Sequence, residues 1–475
     1  MLARGTAWFI APTILVAMIV MTSLGGHETY LMGDFRAFYC AGQAVAAHAN
    51  PYLEEPLRSC EAAAGPPAEP AFLRPVALPA PLPPYALLAF VPLSRLPFPI
   101  AAVIFELLMI GAMIGAVLLF ARVTGASSVL LNLAFAAITA TVTLYVGQPV
   151  PLVFLAIAAS ALLARQGRWI AAALCAAGAS IEPHVALAAI VGMFVAFPRT
   201  RLPLAAAGAV LAGASAFAVG VPTTISYLRD VVPAHALANA YEWQFSLTSI
   251  LTSLAVAPET AIRSGEFMFA LMLVLGVAVA WRLCRITGDP AVMVIVPPAF
   301  AVFGGVHVHF QQLAIAFPAM LYVYQRFPNV RILAGTGMSL SMIPWNVLST
   351  SILTGLSPLL VGVFARITLG QRRGLVLTCL SAVIALSLLF LALAGFGPPP
   401  AHFVVHVYPP STLAENSWGA FSRATLARPS LLMQWLRLPT MVGLACGLLA
   451  IARSAFAASP VEQRTVAERI VAATA

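Results

Sequence analysis

The sequence has no lysine, and charged residues of every kind are scarce. Charged residues make up 9% of the 475 residues, whereas 61% are hydrophobic. Soluble domains carry about 25% charged residues, so this composition excludes a soluble enzyme and predicts a polytopic membrane protein. The 25 basic residues are all arginine and exceed the 16 acidic ones. In a membrane protein such an excess marks the cytoplasmic loops, so we infer no nucleic-acid binding.

Cysteine is also infrequent, with six residues in the chain. Four of them lie in apolar segments and are expected to serve packing. Cys40 and Cys60 fall in a predicted aqueous loop, so a disulfide between them depends on an oxidising compartment. Such a bond would contribute ~3 kcal/mol to the stability of that loop.

Apolar segments occupy most of the chain, and several are shorter than the roughly 20 residues that a full crossing needs. We expect an all-α polytopic integral membrane protein with about 11 to 14 transmembrane helices. A single domain is predicted over residues 1–452, with a short cytoplasmic tail at 453–475. The first apolar span, residues 7–24, is interpreted as an uncleaved signal anchor with a cytoplasmic N-terminus.

The charges predict the two faces of the protein. Arginine clusters alternate along the chain with acidic connections, and the arginine-rich ones are expected in the cytoplasm. Three outer loops follow from this alternation, at residues 25–84, 222–265 and 397–430. The first is the long loop, and it is expected to bear amphipathic helices.

The most informative part of the first outer loop is residues 33–45. Gly33 is expected to break the preceding helix and Asp34 to act as an N-cap, before apolar residues recur at helical spacing. This pattern predicts a short amphipathic helix lying on the bilayer. Two interpretations of Asp34 are open: a structural cap, worth ~1 kcal/mol, or a reactive carboxylate at the membrane surface.

Further polar side chains are predicted at the same membrane depth. Glu182 interrupts an apolar stretch at Glu182-Pro183-His184, and an ionised carboxylate there would cost ~2.5–3.5 kcal/mol unless it lined a cavity. Each of the other groups also has a structural explanation, such as turn formation for Gln148 or interfacial anchoring for Trp345. The candidate groups are Asp34, Gln148, Glu182 with His184, residues 239–246, His307 with His309, and Trp345 with Asn346, while Glu106 is a second carboxyl within a span.

Three motifs in the first part of the chain carry a family resemblance. They are Asp34-Phe35-x-x-Phe38-Tyr39-x-Ala41-Gly42-x-Ala44, then Asn50-Pro51-Tyr52, then Leu82-Pro83-Pro84-Tyr85-Ala86-Leu87-Leu88. These motifs resemble those of glycosyltransferase family 87, whose members are membrane enzymes of the GT-C superfamily. The resemblance implies a GT-C-like helix bundle that takes a sugar from a polyprenyl-phosphate carrier at the outer membrane face. It also implies that Asp34 is the general base.

Later motifs match the family only in part. Gly147-Gln148-Pro149 resembles its Gly-Gln-x-Asn motif, and His307-Val308-His309 resembles its outer histidine motif. The resemblance and the polar positions together give the substrate-binding candidates Arg36, Tyr39, Gln148, Glu182, His184, Gln244, His307 and His309.

One departure from the family pattern affects phosphate binding. Glu182-Pro183 stands where the family often has Lys-Pro, so an expected phosphate-binding cation is missing. The remaining outer candidates for that charge are Arg36, Arg229, Arg263, His184 and His309.

The sequence thus predicts an inverting transferase of a mannose- or arabinose-like sugar at the outer face of a bacterial inner membrane. Its partners would be a polyprenyl-phosphate sugar, a lipid or glycan acceptor, and membrane lipids. No cofactor is expected, and the spacing of His307 and His309 favours phosphate or sugar hydrogen bonding over a metal site. The alternative is a transporter or flippase, in which Glu182 would couple protons or bind the substrate.

Overall fold

The structure is a computed structural model, and the described chain is almost entirely helical. It describes residues 32–64, 77–135, 141–240, 242, 244–342, 357–377, 379, 408–426 and 437–456. The predicted signal anchor, the pair Trp345 and Asn346, and the C-terminal tail lie outside these residues. The α-helices are Gly33–Ala46, Glu54–Ala64, Pro84–Leu87, Val91–Ser94, Phe98–Thr124, Ser128–Phe135, Thr141–Val146, Val150–Arg165, Trp169–Gly178, Pro183–Ala196, Pro198–Ser226, Val232–Asn239, Leu247–Ser253, Pro258–Thr287, Val292–Gly304, Phe310–Leu313, Phe317–Arg326, Arg331–Ser341, Ser357–Leu369, Ala414–Leu426 and Leu438–Phe456.

Four of the described helical segments are long and apolar enough to cross a membrane, namely Phe98–Thr124, Pro198–Asn239, Pro258–Thr287 and Leu438–Phe456. Five shorter apolar helices pack among them. The prediction of an all-α membrane protein is therefore confirmed. The total of about 11 to 14 spans stays a prediction, because several apolar segments lie outside the described residues.

Three shorter helices connect two chemically different ends of the bundle. Each has arginine or aspartate near one end and polar amide or histidine side chains near the other, about 20 Å away at 1.5 Å per residue. We call these the arginine end and the site end. The three helices are Val150–Arg165, Val292–Gly304 and Phe317–Arg326, with Gln148, His307 and Gln312 near their site ends.

A partly buried ion pair fixes the arginine end. The Arg165 guanidinium donates to both carboxylate oxygens of Asp289, at 3.0 and 2.5 Å. Arg326 lies 3.7 Å from the same carboxylate and donates to the Thr124 carbonyl. Bidentate arginine–carboxylate geometry is the strong form of this interaction, so it ties the ends of several helices together.

The Asp34 helix, Gly33–Ala46, differs from the prediction in two ways. Most of its residues are buried, and Phe35 stacks on Phe105 of the first long helix at 4.4 Å, so it does not lie on the bilayer surface. Met32, rather than Gly33, takes the left-handed backbone conformation, and no side chain caps the helix. The N-cap interpretation of Asp34 is therefore wrong, because the N-cap position falls two residues earlier, at Met32, and the Asp34 carboxylate accepts a hydrogen bond from another element.

The Cys40–Cys60 disulfide is present. It joins the Asp34 helix to Glu54–Ala64 with 5.7 Å between the Cα atoms. The open question left by the sequence is thereby answered: both cysteines lie in the first outer loop and they are bonded to each other.

The predicted second outer loop, 222–265, is largely helical. The helix Pro198–Ser226 bends at Gly220 and continues through a π-turn into Val232–Asn239. This continuation carries its last turn into the site end. The sequence missed it because Pro222 and Pro233 are typical loop residues, whereas each here starts or follows a bend in the helix.

A segment of the third outer loop covers the site end, and we call Ala414–Leu426 the covering helix. Leu413 forms an isolated antiparallel bridge with Leu53 of the first outer loop. On the other side, Gly419 lies against Ala238, close enough that a side chain at 419 would touch it. The described segments of the predicted first and third outer loops thus pack together over the site end.

Candidate functional site

The site begins with the Asp34 carboxylate. Its Oδ2 atom accepts a hydrogen bond from Gln148 Nε2 at 2.5 Å. Gly147 makes this approach possible because it has a positive φ of 79° and lies against Phe35, where a side chain would collide. The two family-like motifs, 114 residues apart in the chain, therefore meet at one hydrogen bond.

Glu182 lies at the break between two half-helices, Trp169–Gly178 and Pro183–Ala196, as predicted. Its backbone is non-helical, with φ −111° and ψ 84°, which turns the side chain inward before Pro183 restarts the helix. The residue is 8% exposed, and its carboxylate accepts from Gln312 Nε2 at 3.1 Å. Gln312 also accepts from the His309 backbone amide, so Glu182 and the histidine loop are linked through one side chain.

Three histidine rings from different elements meet beside Glu182. His307 lies 5.3 Å from the His184 ring and 5.2 Å from the His235 ring, measured between centroids. The atoms His184 Nε2, His235 Nδ1 and His307 Nδ1 are buried and have no hydrogen-bond partner among the described residues. With His309 these form the histidine cluster, which offers several buried ring nitrogens to a ligand.

Gln244 connects the histidine cluster to the second outer loop. It donates to Asn239 Oδ1 and accepts from the Val308 amide at 2.8 Å, between the two histidines of the His307 motif. Asn239 in turn contacts the His235 ring at 2.9 Å. Because Gln244 uses both ends of its amide in these bonds, it fixes the register of two loops against each other.

The covering helix reaches the site through a carboxylate. Trp418 Nε1 donates to Glu242 at 2.6 Å, and the negative charge of Glu242 acts on Asp34. Ser249 donates to the Glu242 carbonyl at 2.8 Å and accepts from Arg437 Nη1 at 2.7 Å. Residues beyond position 400 therefore contribute to the wall behind Asp34.

The electrostatics of the site follow from burial. Burial raises the pKa of Asp34 to about 6, opposed by the Gln148 hydrogen bond and assisted by Glu242. Burial and the neighbouring Asp34 charge raise the pKa of Glu182 to about 7, against the lowering effect of Gln312. Burial also lowers the pKa of His309 to about 4, and that of His307 well below its usual range. At neutral pH Asp34 is ionised while these two imidazoles are neutral.

Several predicted side chains lie elsewhere. Tyr39 donates its hydroxyl proton to the Leu96 carbonyl at 2.8 Å, and Arg36 is buried in the Asp34 helix. Arg229 pairs with its neighbour Asp230 on the surface, and Arg263 is exposed. The structure therefore unites Asp34, Gln148, Glu182, His184, Gln244, His307 and His309, and it directs Tyr39 to a backbone partner.

The sequence candidates did not include His235, Gln312 or Arg437. His235 was hidden in an apparent loop, and Gln312 in an apolar segment where its amide was the only signal. Arg437 lies beyond the predicted third outer loop and directly precedes the last described helix, where it is 3% exposed and contacts Ser249. Its sequence signal was an arginine at the outer end of an apolar segment, where the alternation of charges predicts acidic residues.

No group of three or more His, Cys, Asp or Glu side chains within the described ranges is arranged to hold a metal ion. What the site does offer is one ionised carboxylate, a second of raised pKa, and buried nitrogen and amide groups at one end of a helix bundle. Together these side chains can accept a proton and form hydrogen bonds with hydroxyl and phosphate oxygens.

Comparison with known proteins agrees with the resemblance. Residues 82–308 match the sequence model of glycosyltransferase family 87. No curated protein and no solved structure gives a significant match. The matched range holds Gln148, Glu182, His184, Gln244 and His307, whereas His309 follows it directly and Asp34 lies well before its start. The chain is therefore similar to glycosyltransferase family 87 over residues 82–308, just under half of its length.

Proposed function

We propose that the protein transfers a sugar from a polyprenyl-phosphate donor to an acceptor hydroxyl at the outer face of a bacterial inner membrane. The observation that carries this proposal is the Asp34 carboxylate, held by Gln148 and close enough to Glu182 to raise its pKa. A base of pKa about 6 is ionised at neutral pH and still accepts a proton from an attacking hydroxyl.

In the proposed reaction the acceptor oxygen attacks the anomeric carbon from the face opposite the phosphate. The bond between that carbon and the phosphate oxygen breaks, and its electron pair leaves with polyprenyl phosphate. Asp34 takes the hydroxyl proton, so the configuration at the anomeric carbon inverts. Glu182 would accept hydrogen bonds from sugar hydroxyls, and neutral imidazoles of the histidine cluster would donate to phosphate or sugar oxygens.

The departing phosphate needs positive charge, and Arg437 is the best candidate for it. Its guanidinium is buried, its Nε atom has no hydrogen-bond partner among the described residues, and its only side-chain acceptor there is the neutral Ser249. Burial lowers its pKa to about 10, so it is still cationic at neutral pH. A buried cation that lacks a carboxylate partner favours an anionic ligand. Arg437 would then supply the cation that Glu182-Pro183 removes.

Arg437→Gln is expected to raise the KM for the donor about 10-fold to 100-fold, because a hydrogen bond to a charged phosphate contributes about 1.5–3 kcal/mol. Steady-state kinetics with varied donor would measure it, and Arg437→Lys should recover part of the loss because it restores the charge. Arg263→Gln is the matched control, since it removes an exposed arginine on the same predicted side. An unchanged donor KM in Arg437→Gln would exclude this role.

The proposed orientation puts the site end outside. The Cys40–Cys60 disulfide next to the Asp34 helix supports an oxidising compartment there, and the arginine end fits the cytoplasm. We expect a membrane-impermeant maleimide to label Asn416→Cys in intact spheroplasts and Arg372→Cys only after lysis. The background would carry alanine at the four free cysteines, Cys175, Cys284, Cys379 and Cys446. Labelling of Arg372→Cys in intact cells would reverse the orientation.

The function itself is tested by incubating the purified protein with a panel of polyprenyl-phosphate sugars and an extract of envelope lipids and glycans. Release of polyprenyl phosphate with one sugar, mannose- or arabinose-like, is the expected result. Vectorial movement of an intact lipid-linked sugar across vesicles, without release of polyprenyl phosphate, would instead favour the flippase alternative. The family match favours the transferase.

A further inference from the structure

A cavity lies at the arginine end, away from the candidate site described above. An open cavity of about 720 Å³ is formed where residues 369–377 pass the start of the helix Arg331–Ser341. Its lining joins apolar side chains to two consecutive arginines: Ile332, Leu369, Val376 and Leu377, with Arg372 and Arg373. Such a mixed lining suits an amphiphile more than a small polar metabolite.

The cavity lies on the same side of the bundle as the Asp289 ion pair. Tyr324, two residues before Arg326, donates to the Thr368 carbonyl at 2.7 Å, which ties the arginine end to the helix that leads into the cavity. Two of the apolar walls face outward, since Ile332 is 52% exposed and Val376 is 66% exposed. In a membrane these side chains contact lipid tails, and the two arginines lie at headgroup level.

The charge around the cavity is unbalanced. No acidic residue occurs anywhere between Asp289 and Glu415, and Asp289 is already bound by Arg165. The same stretch contains five arginines: Arg326, Arg331, Arg366, Arg372 and Arg373. Within the described residues neither Arg372 nor Arg373 forms an ion pair with a carboxylate, so an anionic ligand is electrostatically favoured at the cavity.

We propose that this cavity binds one anionic glycerophospholipid from the leaflet at the arginine end. The lipid phosphate lies between Arg372 and Arg373, whose guanidinium groups suit phosphate oxygens. One acyl chain lies along Ile332 and Val376. Bound there, the lipid fills the space between the helix Arg331–Ser341 and the turn at Gly370, and its phosphate neutralises the charge of Arg372 and Arg373.

Native mass spectrometry of the full-length protein in detergent tests the proposal, with phosphatidylglycerol and phosphatidylcholine as probes. The wild type is expected to retain one phosphatidylglycerol in preference to phosphatidylcholine. Arg372→Gln/Arg373→Gln is expected to weaken that retention about tenfold or more. Inorganic phosphate added in excess should not displace the lipid, since it makes none of the acyl contacts.

The matched control is Arg168→Gln/Arg199→Gln, which removes two exposed arginines from the same end of the molecule. The Trp169–Phe197 ring contact at 4.5 Å keeps these two positions together. Equal lipid loss in both double variants would mean that general surface charge, and not this cavity, retains the lipid. Wild-type retention in Arg372→Gln/Arg373→Gln would refute the site.

Thr336→Phe fills the apolar part of the cavity and keeps every arginine, so it gives an independent test if the arginine variant fails to fold. Wild-type retention in Thr336→Phe would likewise refute binding in the cavity.

Discussion

Asp34→Asn is expected to lower turnover by about 100-fold or more and to leave the protein folded. Asparagine has the shape of aspartate, and its side-chain oxygen can still accept the Gln148 amide proton, but it cannot take a proton from the acceptor hydroxyl. The measurement is sugar transfer by the purified variant, with thermal unfolding as the check on folding.

The structure sharpens this comparison because it removes the capping role. No side chain caps the Asp34 helix, so Asp34→Ala should lose only the Gln148 hydrogen bond. Its free energy of unfolding should therefore fall by about 1 kcal/mol. Both variants should therefore be inactive. A fully active Asp34→Asn enzyme would remove Asp34 from the mechanism, and the proposed base would have to be sought elsewhere.

The pH dependence gives a second view of the same residue. Its pKa of about 6 in the folded protein is raised by burial, so the ionised base is the major form only above that value. The part of the profile that belongs to Asp34 should rise with pH through about 6, as this carboxyl ionises. Because Asp34→Asn has no group to titrate, its residual activity should lack this limb.

Glu182→Gln is expected to lower kcat/KM about 10-fold to 100-fold, the second largest effect we predict. A glutamine amide can turn its oxygen towards Gln312 and keep that hydrogen bond, so packing is preserved. It loses the negative charge and one acceptor for sugar hydroxyls. Transfer assays with varied donor and acceptor would show which substrate depends on it.

Glu106→Gln is the matched control for this variant. Glu106 is also a carboxyl in an apolar helix, with both oxygens buried and no hydrogen-bond partner among the described residues. Its neutralisation should leave transfer near the wild-type rate. If Glu106→Gln and Glu182→Gln were equally impaired, the defect would reflect the loss of any membrane carboxyl and not a role in substrate binding.

The broken helix shows how much of the site could be predicted. Glu182-Pro183 in an apolar stretch combines a costly charge with a residue that ends a helix, so both the break and the inward side chain follow from local chemistry. The Asp34 helix shows the opposite. Its helical spacing of apolar residues was recognised correctly, but the prediction of a surface helix was wrong. Periodicity identifies one apolar face of a helix and does not show whether other segments pack against the remaining faces.

His235, Gln312 and Arg437 could not have been chosen from the sequence for a related reason. Each is a polar residue within a predicted loop or apolar span, and its relevance depends on distant neighbours. Glu182 lies 130 positions from Gln312, and Ser249 lies 188 positions from Arg437. Pairings at such separations are made by helix packing. Local sequence patterns therefore identify residues that are unusual for their own segment, such as a carboxylate in an apolar stretch. They miss residues that become important only through contacts with distant parts of the chain.

By itself the sequence determined the membrane class, the helical architecture and the identity of most polar groups at the site, because bilayer insertion constrains composition, length and charge segment by segment. Only the tertiary structure decided that Asp34 binds Gln148 instead of capping its helix, that Cys40 is bonded to Cys60, and that the covering helix completes the wall behind the base. These are long-range contacts between side chains, and they depend on how helices pack in three dimensions, which no local pattern encodes.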